Sequence, residues 1–199
     1  GEYGFPESHA AGFAQIAYAT AWLRAHYPVI FTCALLNAWP MGFYTPSTIV
    51  HDAVRVGVRV APIDIVHSEW ECTLERDADS PDGAAPQGGK TVPAGRRDAA
   101  YTLRIGFRFI KGVGRADWEA IEAARGTLRD VEAYHSGGEQ TPVERVRRFV
   151  AETAIDRDRM IRIAETGAFD SVGIDRRTAV WIAMGSDRGA GGGGAGGRG

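Results

Sequence analysis

Apolar positions fall at helical spacing in blocks near both ends of the chain, alternate briefly in the middle, and lose all period in two stretches. The first block, residues 8–27 (SHAAGFAQIAYATAWLRAHY), is apolar on most faces, with Gln15, Arg24 and His26 as its main polar interruptions. Ser8 offers an N-cap hydroxyl and Pro28 a stop or restart, so the pattern predicts a helix sunk in a larger protein. Pro28 fits the first turn of a second helix reaching about Asn37, and Thr45-Pro46 opens a third that Gly57 can close. Next, residues 58–62 and 63–66 read as short extended segments, and residues 70–74 and 101–105 as the two strands of a small hairpin. Between those strands, residues 77–99 are rich in Gly, Pro, Ala and charge without periodicity, as in a loop or disordered insertion.

The second half returns to helical spacing. Trp118, Ile121 and Ala124 recur at three-residue intervals in a helix expected over about 116–125. Thr141-Pro142-Val143-Glu144 forms a capping box that opens a helix through about Glu152. Asp156 can cap a helix over 157–166, and Asp175 another over 176–184. From Gly185 onward nine of the fifteen residues are glycine, which predicts a flexible tail without a fold of its own.

Composition narrows the class. With 199 residues, 44% apolar and 24% charged, the chain can bury a core and is neither wholly disordered nor collagen-like. Two cysteines supply neither a disulfide framework nor a four-ligand zinc site, so a reducing cytoplasmic compartment is expected. Residues 25–51 carry no Asp, Glu, Lys or Arg, yet Pro28, Asn37, Pro40, Gly42 and Pro46 cut that stretch into pieces too short to span a membrane. No secretory leader pattern precedes the first helix, and a chain that starts at Gly1 reads as cut from a longer protein. The net charge of -2 hides a gradient: residues 1–75 hold three basic and seven acidic side chains, residues 101–184 fourteen and thirteen. A polyanion should prefer the second half. Only two of the 23 cations, Lys90 and Lys111, are lysine, a bias ascribed to genomic base composition rather than to function.

Among the motifs, Ile110-Lys111-Gly112-Val113-Gly114 carries the most chemistry. Apolar, x, Gly, apolar, Gly is the helix-hairpin-helix pattern of sequence-independent DNA binding. Its glycines let two helices meet closely and bring backbone amides to the N-terminus of the second, where a phosphate oxygen can bind. Lys111 and Arg115 flank the turn as cations. A second helix-turn-helix unit is expected over Arg159–Trp181, with turns at Gly167 and Gly173, Phe169 as an apolar plug, and Arg176-Arg177 in the first turn of the last helix. Cations there oppose the helix dipole and hint at an anionic partner. Residues 84–91 (AAPQGGKT) match a relaxed phosphate-loop pattern, but neither a buried strand before it nor a helix after it is expected, so the match is one of chance. The five histidines show no metal spacing and no Ser/His/Asp order emerges; no catalytic centre is complete within the chain and no metal site is expected.

The run Tyr3-Gly4-Phe5-Pro6-Glu7-Ser8-His9-Ala10, with Tyr18, Trp22-Leu23 and His26-Tyr27-Pro28, resembles the fingers of bacterial C-family DNA polymerases, the alpha subunits of DNA polymerase III and their relatives. Residues 110–114 resemble the helix-hairpin-helix region that follows the fingers, and residues 167–173 with 176–181 resemble its end. Pro6-Glu7-Ser8-His9 and residues 37–44 (NAWPMGFY) look like the error-prone branch used in damage tolerance; the replicative branch usually has a lysine in place of Glu7, so no phosphate contact is carried over to that position.

The resemblance implies a mainly α fold of fingers-type helices, a small β hairpin and tandem helix-hairpin-helix units. The expected domains are distal fingers (1–57), a β element with the insertion (58–109), the hairpin region (110–184) and the tail (185–199). It implies a place near the incoming dNTP or the template-primer junction for Tyr3, Gly4, Phe5, Ser8 and His9, and contact with duplex backbone for Lys111, Gly112, Val113, Gly114, Arg115, Arg176 and Arg177. The family's palm, whose aspartates hold two Mg2+ ions, lies before the fingers and is not in this chain, so the chain alone should not polymerise. Other replisome or damage-tolerance proteins are conceivable partners of the whole enzyme. Two other readings are a non-enzymatic helix-hairpin-helix DNA-binding module and a replicative alpha-subunit fragment.

Overall fold

The computed structural model describes residues 7–76, 95–129 and 141–185. The chain divides into two compact units, Gly1–Ala61 with Cys72–Arg104, and Pro62–Glu71 with Ile105–Gly199. The expected boundaries cut differently: residues 58–109 are divided between the two units.

In the first unit, α1 (Glu7–His26), α2 (Pro28–Asn37) and α3 (Pro46–Arg55) accompany three short strands, β1 (Val60–Ala61), β2 (Thr73–Arg76) and β3 (Tyr101–Arg104). Thr45 caps α3, its hydroxyl accepting from the Thr48 amide, and Pro46 occupies the first helical position, as the dipeptide predicts. The sheet order is β1-β3-β2, with β2 antiparallel to β3 in the register Leu74 opposite Leu103, and β1 parallel to it. The expected hairpin is therefore present, but its first strand begins at Thr73 rather than Trp70, and β1 adds a third strand. Val29, Cys33 and Leu36 recur along one face of α2 and are buried together with Ile49, Ala53, Val58 and Leu103. By contrast α1 has no buried residue: Phe13, Ile16 and Tyr18 all stand exposed.

Composition placed residues 95–99 in the insertion, yet they are structured. Asp98 is completely buried, accepts hydrogen bonds from the Val29 (2.6 Å) and Ile30 (3.1 Å) amides, and pairs with the buried Arg96 at 3.0 Å. It caps α2, whose own N-cap residue Tyr27 contributes no side-chain bond. The phosphate-loop look-alike, the rest of the insertion and the tail beyond Gly185 lie outside the described residues.

The second unit holds α4 (Arg115–Ala124), the single turn α5 (Gly126–Arg129), α6 (Pro142–Thr153), α7 (Arg157–Glu165) and α8 (Arg176–Gly185). Residues 63–66, expected to be extended, instead enter a turn: Asp64 Oδ1 accepts from the Val66 (2.8 Å) and His67 (2.9 Å) amides and bends the chain. Burial pushes the Asp64 carboxyl up, but hydrogen bonds from the Ser171 hydroxyl, those two amides and the His67 ring outweigh it and hold the group below its ordinary value. The wholly buried Arg125 donates to the Ile65 (3.1 Å) and Ser68 carbonyls and meets Glu69 and Glu122, clamping this segment to the end of α4. One core joins Ile65, Phe107, Ile121, Leu128, Phe149, Met160, Ile163, Phe169 and Ile182. No helix among the described residues is long and apolar enough to cross a membrane.

Candidate nucleic-acid interface

The first hairpin is built on a tight turn. The Val113 amide donates to the Ile110 carbonyl at 3.2 Å, and Gly112, third in the turn, has φ +82°, as a type II turn requires. The segment before the turn is a single 3-10 turn, Phe107–Phe109, rather than the α-helix that the motif suggests. The Phe107 amide donates to the Glu69 carbonyl (3.0 Å) and the Arg108 amide to the Trp70 carbonyl (3.1 Å), which ties the start of this turn to residues 69–70.

At Gly112 a Cβ would lie 2.0 Å from Nη1 of Arg162, which reaches from α7 and donates to the Lys111 carbonyl at 3.0 Å. Gly112 thus meets two demands, a left-handed backbone and the close approach of a guanidinium. Gly114 is the N-cap of α4, and its amide donates to the buried Asp117 carboxylate at 2.7 Å. Asp117 in turn accepts from Arg159 at 2.9 Å. The amides of Val113 and Gly114, expected to face a ligand, are therefore satisfied within the protein, and Val113 buries its side chain in the core. Among the described residues the amides of Gly112, Arg115 and Ala116 have no acceptor, leaving these donors open at the start of α4. Lys111 is exposed beside them; Arg115 lies over the Trp118 ring at 5.3 Å with Glu119 3.5 Å away. Motif spacing locates Lys111, Gly112 and Arg115 but gives no sign of Arg162, which lies 51 residues on.

The second unit's other hairpin pairs α7 with α8. Gly167 (φ +79°) and Gly173 (φ +79°) turn the chain, and Phe169 packs edge-on to Phe149 with ring centres 6.1 Å apart, the plug expected from the sequence. Asp175 caps α8, accepting from the Arg177 (2.9 Å) and Thr178 (3.1 Å) amides and from the Thr178 hydroxyl, which lowers its pKa. Those amides are taken, so what α8 presents is the exposed side chains of Arg176 and Arg177. With Glu165 and Val180 these two line a pocket of about 380 Å³.

Of the residues expected near a nucleotide, Tyr3, Gly4 and Phe5 lie outside the described residues; Ser8 and His9 are exposed in the first turn of α1, where the His9 ring lies tilted against Phe13 with centres 4.5 Å apart. Among the described residues no three His, Cys, Asp or Glu side chains converge where they could hold a metal ion, so these residues do not fit a resident Mg2+ site.

Several curated proteins are similar to this chain in sequence. The chain is 42% identical over 191 residues to "Error-prone DNA polymerase 1" of Rhizobium meliloti (strain 1021), covering 94% of this chain and 15% of that protein. It is 42% identical to the "Error-prone DNA polymerase" of Sinorhizobium medicae (strain WSM419), again over 94% of this chain and 15% of the relative. Against the protein of the same name from Alkalilimnicola ehrlichii, identity is 36% over 95% of this chain and 15% of the relative. The chain thus spans about 15% of the length of these relatives. A family model described as "Helix-hairpin-helix motif" matches residues 57–179, a span that holds both turns, the arginines that flank them and most of the second unit's core. With more than half of its residues inside that match, the chain belongs to the helix-hairpin-helix motif family.

Proposed function

We propose that this chain is the part of an error-prone DNA polymerase that holds the sugar-phosphate backbone of primed duplex DNA during damage-tolerant synthesis in the cytoplasm. One observation supports the reading: at the left-handed Gly112 turn the exposed Lys111, with Arg162 bonded to its carbonyl, adjoins the amides of Gly112, Arg115 and Ala116, which have no acceptor among the described residues. Amides and guanidiniums at a helix start take phosphate oxygens without reading bases, which suits an enzyme that must travel along any sequence. Arg176 and Arg177 extend the same kind of contact from α8.

The whole enzyme would transfer nucleotides from dNTPs under template direction with Mg2+. That ion's ligands would come from parts of the polymerase other than the described residues, and the chain by itself would be inactive. Ser8 and His9, exposed at the start of α1, would with Tyr3, Gly4 and Phe5 face the incoming nucleotide or the template-primer junction.

The test is anisotropy of a labelled duplex titrated with this chain at low salt. Lys111→Glu combined with Arg115→Glu should raise Kd by about tenfold or more, since two backbone cations become anions. An unchanged Kd sinks the backbone-contact reading.

A further inference from the structure

Two sets of arginines in the second unit contrast with each other. Arg108, Arg115, Arg125 and Arg159 each reach a carboxylate, Glu71, Glu119, Glu69 with Glu122, and Asp117 respectively. Arg147, Arg148, Arg176 and Arg177 are exposed and reach none within 4.0 Å among the described residues. Glu144 is tied to the Thr141 amide and hydroxyl (2.8 and 3.0 Å) and also feels the Arg147 charge, and Glu165 lines the α8 pocket with Arg176 and Arg177.

These four arginines lie on two helices joined by an aromatic contact. The Arg147 guanidinium of α6 lies over the Trp181 ring of α8, 5.2 Å from its centre. Arg177 precedes Trp181 by four residues and so shares its stripe of α8. Trp181 is 62% exposed, and Met184, three residues on, is 50% exposed. An indole that far out of the core contributes little to folding, and its exposed ring offers a flat surface on which another ring can stack. The pocket beside Arg177, about 380 Å³, is large enough for one nucleotide unit.

We propose that this α6–α8 face is a single-strand site, with Trp181 stacking on an unpaired base while Arg147 and Arg177 take the phosphates on either side. Duplex DNA presents phosphates and base edges but keeps its base faces stacked inside, so it has nothing to offer an exposed indole. An unpaired strand offers a base face at every step, and alternation of cation and aromatic is the arrangement that binds it without sequence preference. The inference rests on the reading of this chain as a DNA-contacting part of a polymerase and shares Arg177 with it, but its tests fall on Trp181 and Arg147, which the duplex reading does not use, so the two can fail separately.

The experiment titrates the 199-residue chain into labelled oligo(dT) of about 15 nucleotides and, in parallel, into a duplex of the same length, reading anisotropy and tryptophan fluorescence. Trp181→Ala should weaken oligo(dT) binding by about fivefold or more and remove most of the fluorescence quenching, Trp181→Phe should restore part of the affinity, and the duplex Kd should stay within about twofold. Arg147→Gln should weaken oligo(dT) alone. Melting curves that coincide with wild type confirm that the exposed substitutions leave the fold intact. Unchanged oligo(dT) affinity in Trp181→Ala overturns the proposal, as does equal loss for both DNAs. So does a DNA-free dimer that Trp181→Ala dissolves without effect on oligo(dT), which would make a second copy the occupant of this face. Trp181-dependent oligo(dT) binding without any duplex binding would support this site and overturn the duplex reading instead.

Discussion

Two glycines in the second unit make opposite demands. Gly106 has an ordinary φ of -88°, so its backbone would accept any residue, yet a Cβ there would lie 2.4 Å from the Glu71 carbonyl carbon and 2.5 Å from the Trp70 oxygen. Both obstacles are backbone, pinned by the Phe107 and Arg108 amide bonds to Glu69 and Trp70, and neither can rotate aside. Gly126, at the start of α5, has nothing within 4 Å of its Cβ position. Gly106→Ala should therefore cost about 2–3 kcal/mol through forced displacement, whereas Gly126→Ala should be neutral or gain about 0.5–1 kcal/mol by restricting the unfolded chain. Thermal unfolding of the two variants checks this, and a Gly106→Ala protein that melts with wild type would remove the close approach from the account. Sequence marks Gly112 through its motif; nothing local marks Gly106, because its constraint comes from residues 35 positions earlier that the chain brings alongside. For the same reason the motif points to Lys111 and Arg115, whereas Arg162, which meets the same turn from 51 residues on, carries no local mark.

Elements were legible where their determinants are local. Thr45-Pro46, Thr141 with Glu144, Asp156 and Asp175 all cap the helices their spacing predicts, because a cap and the amides it serves lie within three residues of each other. The start of α2 depends instead on Asp98, 69 residues from Val29, inside a stretch that composition assigns to a structureless insertion. The turn after β1 departs from its sequence pattern for a related reason. Ile63-Asp64-Ile65-Val66 alternates like a strand, but Asp64 folds back on the Val66 and His67 amides and the Ser171 hydroxyl adds to the net below Asp64. Those bonds have a pH signature. Because the folded-state pKa is depressed, the stabilisation is present above the unfolded value near 3.8 and is lost as pH falls through the lower folded value. Asp64→Asn should cost about 1–2 kcal/mol at neutral pH, and its gap from wild type should narrow as pH drops below about 4. Urea melts at neutral pH and in acid read both effects; a gap that stays constant into acid would mean that the carboxylate charge contributes nothing.

At the scale of the whole molecule, net charge is a poor guide to what the surface can hold. Fourteen cations against thirteen anions in residues 101–184 suggest near neutrality, but many of those charges are already committed to each other. Arg125 is buried against two glutamates and the half-exposed Arg159 is bound to the buried Asp117, so part of their charge is neutralised within the protein. Lys111, Arg176 and Arg177 remain exposed and without a carboxylate within 4.0 Å among the described residues. Counterion release then makes a graded prediction. The slope of log affinity for duplex DNA against log salt falls by about 0.9 for each backbone-contacting cation. Lys111→Gln should make that slope shallower by about 1 without altering which sequences bind. Arg24→Gln removes the same charge from the first unit, but Arg24 is engaged with Asp52 and should leave the slope where it was. Anisotropy titrations from low to moderate KCl separate a local contact from a general field. If the two substitutions flatten the slope equally, affinity follows total charge and the glycine turn loses its special role; if only Lys111→Gln does, the DNA backbone lies against that turn.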